Sequence, residues 1–244
     1  MTEGRAALYE QHRRELLAYA MRLVVRPEIA EELVQEAAVR MLDSTALPSE
    51  PGAARAWLFK IVTNLSIDYL RRHSTRREQV LVETKEHCAR DEAFVAHARS
   101  LRGSPEQKAI AKEHLAVCFS CTLRNLAPYE AASLLLKEVY GFSTSETAET
   151  LESTPIQVKN WLQRARRTLK ARYAQTCALV AKEGVCHQCV ELDTFFNGRL
   201  RDPLEGTARD IEARLDILRS QRETSLGPLH RRMLRILDDV ISGG

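Results

Sequence analysis

Apolar residues recur every three to four positions along most of this chain, and the breaks in that rhythm fall at prolines, glycines and short polar runs. Between Glu3 and Val25, Leu16, Ala20 and Leu23 form one line and Leu8, His12, Glu15, Tyr19 and Arg22 a neighbouring one, the period of an amphipathic helix. Pro27 interrupts it and suits the first turn of a second helix, where its fixed φ fits and its missing amide is not needed. In that helix Ile29, Leu33, Ala37, Arg40 and Met41 repeat, until the run Thr45 to Gly52, with two prolines, predicts a loop. From Ala53 to His73 the period returns through Trp57, Ile61, Leu65 and Tyr69 or Leu70, and Arg71 and Arg72 end the helix where its dipole favours cations. Residues 74–104 lose the pattern and read as a linker with some helix.

A second helical block is predicted from Pro105 to about Tyr173. Within it Ser143-Thr144-Ser145-Glu146 has the form of a capping box, in which Ser accepts from the amide three residues on and Glu reaches back. The helix it opens is short, ending near Leu151. Thr154 then suits a cap and Pro155 the first position of a further helix, so the order is short helix, tight turn, long helix, that of a helix-turn-helix. On the long helix Val158, Leu162, Ala165 and Leu169 share an inward face, while Lys159, Asn160, Gln163, Arg164 and Arg167 fall opposite. Those side chains offer hydrogen-bonding groups for base edges and cations for phosphates; a solvated face on a structural helix is the plainer alternative.

Composition narrows this picture. With 10 Gly and 8 Pro in 244 residues and 6% aromatics, a β-sandwich or a linker-dominated chain is excluded in favour of helices. No window approaches the ~20 apolar residues of a bilayer span, and the first residues lack a signal-peptide pattern, so no membrane insertion and a cytoplasmic location are expected. The net charge of +3 is small but uneven. Residues 155–173 carry six cations and no acid, whereas residues 28–43 carry five acids against Arg40; only the first segment is built to meet phosphates.

Four segments then resemble one family. Ala30-Glu31-Glu32-Leu33-Val34-Gln35-Glu36, the run Ala56 to Arg72, Leu126-Ala127-Pro128 with Glu138-Val139-Tyr140-Gly141-Phe142-Ser143, and Val158 to Arg166 look like bacterial extracytoplasmic-function sigma factors of the sigma-70 class, in that family's order and spacing. The resemblance covers roughly residues 5–173. It implies an all-α fold of two small helical domains joined by a linker: sigma region 2 over residues 1–75, a linker over 76–104, and sigma region 4, with its helix-turn-helix, over 105–173, followed by a helical C-terminal extension over 174–244. The function implied is promoter-specific initiation as a subunit of RNA polymerase, without enzymatic activity of its own. By similarity, Glu32, Leu33, Gln35 and Glu36 meet core RNA polymerase. The loop Thr45–Arg55 and Asn64 cup a flipped-out base of the minus-ten element, whose extrusion a polar pocket offsets, with Arg71, Arg72, Arg76 and Arg77 on the strand backbone. Lys159, Asn160, Gln163, Arg164 and Arg167 read the minus-thirty-five element of promoter DNA. The chain departs from the family pattern at Glu32, usually Asp, at Glu152, usually Gly in the turn before the recognition helix, and at Ser153, usually apolar.

The extension is not explained by a two-domain family. It holds Cys186-His187-Gln188-Cys189 and two predicted helices with apolar lines Leu204, Ala208, Ile211, Leu215, Leu218 and Leu229, Met233, Ile236, Val240, which need a surface to cover. Cys186 and Cys189 are half of a tetrahedral thiolate site. Cys118 and Cys121, three apart on a helix, supply a second half. The four thiolates suit zinc or, alternatively, an iron–sulfur cluster; a reversible disulfide pair, or plain core packing of Cys118 and Cys121, are the other readings. His114 and His187 are substitute ligands, and Cys88 and Cys177 look unpaired. The expected protein is thus a sigma factor with a metal- or redox-responsive extension, with a separate anti-sigma factor left open. The competing class is a stand-alone helix-turn-helix regulator that does not bind core polymerase. No phosphate-cradling glycine loop or paired nucleophile supports an enzyme.

Overall fold

The computed structural model describes residues 2–44, 48, 50–73, 84, 86–101, 104–177, 180, 211–224 and 226–242. Among these the regular elements are helices: α1 (Thr2–Val24), α2 (Pro27–Asp43), α3 (Pro51–Arg72), α4 (Glu92–Ser100), α5 (Gln107–Leu123), α6 (Pro128–Leu134, continued by one π-helical turn, Leu135–Val139), α7 (Thr144–Thr150), α8 (Pro155–Thr176), α9 (Ile211–Ser220) and α10 (Pro228–Ser242). None of the described helices is long and apolar enough to cross a membrane. Compactness divides the chain into one unit of Met1–Ser74, Leu126–Ala165 and Arg222–Ser225, and another of Thr75–Asn125, Arg166–Gln221 and Leu226–Gly244.

In the first unit α1 buries Leu16, Tyr19, Ala20 and Leu23, as its periodicity predicts, whereas α2 buries Ala30, Val34, Ala37 and Met41 and α3 buries Leu58, Phe59 and Val62, faces turned by about one residue from the expected lines, whose Ile29, Leu33, Trp57, Ile61 and Leu65 are half-buried. Pro27 and Pro51 each open a helix. Two polar groups are carried into this core with partners. The hydroxyl of Thr63 donates to the carbonyl of Phe59 at 2.6 Å, so the Tyr19 hydroxyl, 2.8 Å from Thr63, is the donor in that pair.

The end of α6 packs into the same core. The π turn leads into Tyr140, Gly141 and Phe142, and Gly141 takes φ +76, a conformation that L side chains resist. Tyr140 and Phe142, 2% and 3% exposed, close an aromatic cluster with Tyr19 and Phe59 at centroid separations of 5.0–5.2 Å. Arg55 lies over the rings of Phe59 and Phe142 at 4.8 and 4.7 Å, forks onto Glu15 at 2.9 and 2.6 Å and donates to the Tyr140 carbonyl at 3.0 Å. Arg55, expected at the edge of a promoter-cupping loop, is therefore an internal link of this core.

The second unit has its own core of Ile110, Ala111, Leu115 and Leu229, against which Phe94, Ala98, Leu101 and Ile217 pack. Of the apolar lines predicted for the extension, Leu229 of α10 joins this core, with Ile217 of α9 beside it, while Leu204 and Ala208 lie outside the described residues. Polar pairs flank it: Arg232 forks onto Asp91 at 2.7 Å twice, and Glu113 accepts the Gly227 amide at 2.6 Å. His230 lies between Glu113, 3.0 Å from its Nδ1, and His114, 3.2 Å from its Nε2.

Candidate nucleic-acid and polymerase interface

The turn before α8 forms as its residues dictate. Ser143 Oγ accepts the Glu146 amide at 3.1 Å and Glu146 returns to the Ser143 amide at 2.7 Å, closing the capping box of α7. Thr154 Oγ1 then accepts the Gln157 amide at 3.2 Å and Pro155 starts α8. Between them Glu152 adopts φ +50 in the left-handed region. A non-glycine side chain there is strained, and Glu152 is the position where glycine was the expected residue.

On α8, Val158, Ala165 and Leu169 are fully buried, with Leu162 half-buried. Lys159, Asn160, Gln163, Arg164 and Arg167 are exposed, so the helix has one packed side and one polar side. Arg164 Nε sits 2.8 Å from Glu130 Oε1. Ile156, 72% exposed, stands one turn before Lys159 and Asn160. Periodicity passed over it because an apolar residue at a helix start breaks no pattern, and only its exposure marks it.

The acidic face of α2 is open as well. Glu32, Gln35 and Glu36 are exposed and Leu33 is half-buried, with Glu36 paired to Arg40 at 2.8 Å one turn on. On α3, Asn64 is exposed, as are Arg71 and Arg72. Arg71 Nη2 donates to the Tyr129 hydroxyl at 3.2 Å, and Tyr129 in turn stacks on Trp161 at 5.1 Å. Arg72 turns back to the carbonyl of Asp68 at 3.2 Å. Arg76, Arg77 and most of the loop after Asp43 lie outside the described residues.

Family comparison places the chain. A model described as Sigma-70 region 2 matches residues 8–76 and one described as Sigma-70, region 4 matches residues 116–169. The ECF RNA polymerase sigma factor SigL of Mycobacterium tuberculosis is 30% identical over 173 residues, covering 67% of this chain and 85% of that protein. The chain belongs to the ECF sigma factors of the sigma-70 family. Other relatives of this sigma factor are the probable ECF RNA polymerase sigma factor SigI of Mycobacterium tuberculosis, 26% identical over 217 residues (87% of this chain, 71% of the relative), and SigX of Bacillus subtilis, 23% identical over 176 residues (70% and 84%). A span of 87% exceeds the first 173 residues, so the likeness to SigI enters the C-terminal extension.

Only half of the expected four-thiolate set of the sigma factor falls within the described residues. Cys186, Cys189 and His187 lie outside the described residues. Cys118 and Cys121 share α5, but Cys118 Sγ accepts from Arg214 Nη1 at 3.7 Å, and Nη2 of the same guanidinium reaches Cys177 Sγ at 3.6 Å. Cys177, expected to stand alone, is one of its neighbours. His114 is likewise engaged, by His230. Cys88 is buried, which pushes its thiol up to about 11, as a packing residue would be. Among the described residues no group of three or more His, Cys, Asp or Glu is disposed to hold a metal ion.

Proposed function

We propose that this sigma factor reads both elements of its promoters through the faces described above while its extension covers region 4. The observation that carries the reading is α8: an exposed polar row of Lys159, Asn160, Gln163 and Arg167 opposite fully buried Val158, Ala165 and Leu169, behind a doubly capped turn. Asn and Gln there suit base edges and Lys and Arg suit phosphates. Ile156 adds an apolar contact of the kind that recognises a thymine methyl. Arg164 contributes from the same row while tethered to Glu130.

Asn64 and Arg71 on α3 supply polar and cationic contacts for an unpaired minus-ten strand, with Arg72, Arg76 and Arg77 alongside. Glu32, Leu33, Gln35 and Glu36 on α2 form the acidic docking face for core polymerase. The extension has a regulatory role, supported by the apolar faces of α9 and α10 lying against α5 and α4, helices that precede the helix-turn-helix.

The test is reconstitution of the full chain with core RNA polymerase on a promoter library. Promoter-specific transcripts and co-purification with core carry the reading. DNA binding without association to core would assign the chain to the stand-alone regulators instead.

A further inference from the structure

The corner between α1 and α2 is strained, and it delivers a cation to α3. Val25 takes φ +57 while 3% exposed, a left-handed conformation that a β-branched residue resists. Arg26, the next residue, donates from Nη1 to the Tyr69 hydroxyl at 2.8 Å. The Tyr69 ring in turn carries the imidazole of His73, with centroids 4.3 Å apart and planes within 22°. That imidazole is held a second time, its Nδ1 lying 3.0 Å from the Tyr69 carbonyl. A carbonyl only accepts, so Nδ1 carries the proton. His73 caps the end of α3 and is exposed, whereas Arg26 and Tyr69 are half-buried. A guanidinium, a phenol ring and an imidazole thus follow one another from the α1–α2 corner to the surface.

A helix cap needs the Nδ1 contact alone; it requires neither the stack nor the strained corner behind it. A fixed ring beside cations is what proteins offer to unpaired bases, because every base has a π-face and a ring immobilised beforehand loses little entropy when a base lands on it. Arg72, three residues after Tyr69, shares its side of the helix and is itself held against the Asp68 carbonyl at 3.2 Å. We propose that His73, seated on Tyr69, is a stacking platform for one unpaired base of the melted promoter strand. The proposal rests on the assignment of α3 to the minus-ten strand and adds a second nucleotide to it. Asn64 lies about 14 Å from His73 along the axis and on the other side of the helix, with Arg72 between them around the circumference. The base cupped at Asn64 and the base stacked on His73 are therefore different nucleotides, and Arg72 suits the phosphate backbone that joins them.

The experiment uses the full chain bound to core RNA polymerase, on a promoter from the library whose minus-ten region is held open by mismatches. 2-Aminopurine, whose emission is quenched by stacking, replaces each non-template base of the bubble in turn. One position is expected to be quenched in the wild type, to regain its emission several-fold in His73→Ala and to stay quenched in His73→Phe. Asn64→Ala should release a different position. Binding of the bubble template should weaken about tenfold in His73→Ala, the size of one base–aromatic stack, with the urea midpoint of each variant showing that the fold is kept. Emission unchanged by His73→Ala at every position would overturn the proposal. So would His73→Phe behaving as His73→Ala, which leaves the imidazole a helix cap, or rescue by His73→Lys but not by His73→Phe, which makes it a phosphate contact. In those cases a bubble still bound through Asn64 leaves the promoter-reading proposal standing; a template that the holoenzyme does not bind overturns both.

Discussion

Arg22 of α1 donates a 2.9 Å hydrogen bond to the hydroxyl of Tyr140, 118 residues further along the chain. The first residue falls within the region 2 match and the second within region 4. Tyr140 passes its own proton toward the carbonyl of Arg222 at 3.4 Å, and burial pushes its phenol up to about 12. Three separate stretches of sequence therefore converge on one hydroxyl. Tyr140→Phe keeps the ring in its aromatic cluster and removes only that group, leaving a buried cationic donor short of an acceptor. The expected loss is about 1–3 kcal/mol, read as a lower urea midpoint at unchanged slope; an unaltered midpoint would show the hydroxyl to be energetically idle.

On α8, different side chains should fail in different ways. Asn160→Ala and Gln163→Ala remove groups suited to base edges, worth roughly 1–3 kcal/mol of discrimination each, and should lower transcription from minus-thirty-five-dependent promoters while sparing unrelated DNA binding. Arg167→Ala should weaken binding to all sequences alike and shrink the salt dependence by about one phosphate contact. Footprinting and binding titrations across salt concentration separate the two classes. Equal loss on specific and random DNA for Asn160→Ala would take that residue out of the reading set.

Glu152 invites a substitution in the opposite direction. Its left-handed backbone costs about 1–2 kcal/mol for an L residue, and glycine removes that at an entropic cost of about 0.5–1 kcal/mol. The ion pair it makes with Lys60 at 2.9 Å is mostly exposed and contributes little. Glu152→Gly should therefore stabilise the protein by up to about 1 kcal/mol in thermal or urea unfolding. A destabilised variant would mean that the Lys60 contact outweighs the strain.

His114 makes the second unit sensitive to acid. Burial and the neighbouring His230 bring its pKa down to about 3 from an ordinary 6.5. Because the folded value lies below the unfolded one, the unfolded chain takes up the proton first, and stability falls as the pH drops below 6.5, levelling off near 3. Between pH 7 and pH 5 this amounts to about 2 kcal/mol. Burial raises Glu113, but His230, the Gly227 amide and Arg231 together leave it below its usual value, so its contribution is also lost on acidification, at lower pH. Amide exchange in α5 and α10 should slow less from pH 7 to pH 5 than the intrinsic trend dictates, and His114→Gln should abolish that excess. An equal excess in the variant would point to another titrating group.

Helix positions, caps and the split of α8 into a packed and a polar side were legible from the sequence, because each depends on residues within a few positions of one another. Spacing of three and four fixes which side chains share a helix face, and Ser143, Glu146, Thr154 and Pro155 mark the helix starts through local backbone geometry. The resemblance added the sigma-factor reading on the same local motifs. What the sequence left undetermined was the pairing of surfaces. Arg55 ends the expected promoter loop in sequence yet turns inward to Glu15, Phe59 and Phe142, and Cys177, which looked unpaired, receives a hydrogen bond from the same Arg214 guanidinium that reaches Cys118. A buried cation takes whichever acceptors or rings the packing delivers, and those come from segments whose spacing along the chain carries no period. Only the tertiary structure decides them, since the free energy of burying a charge is settled by its neighbours in space.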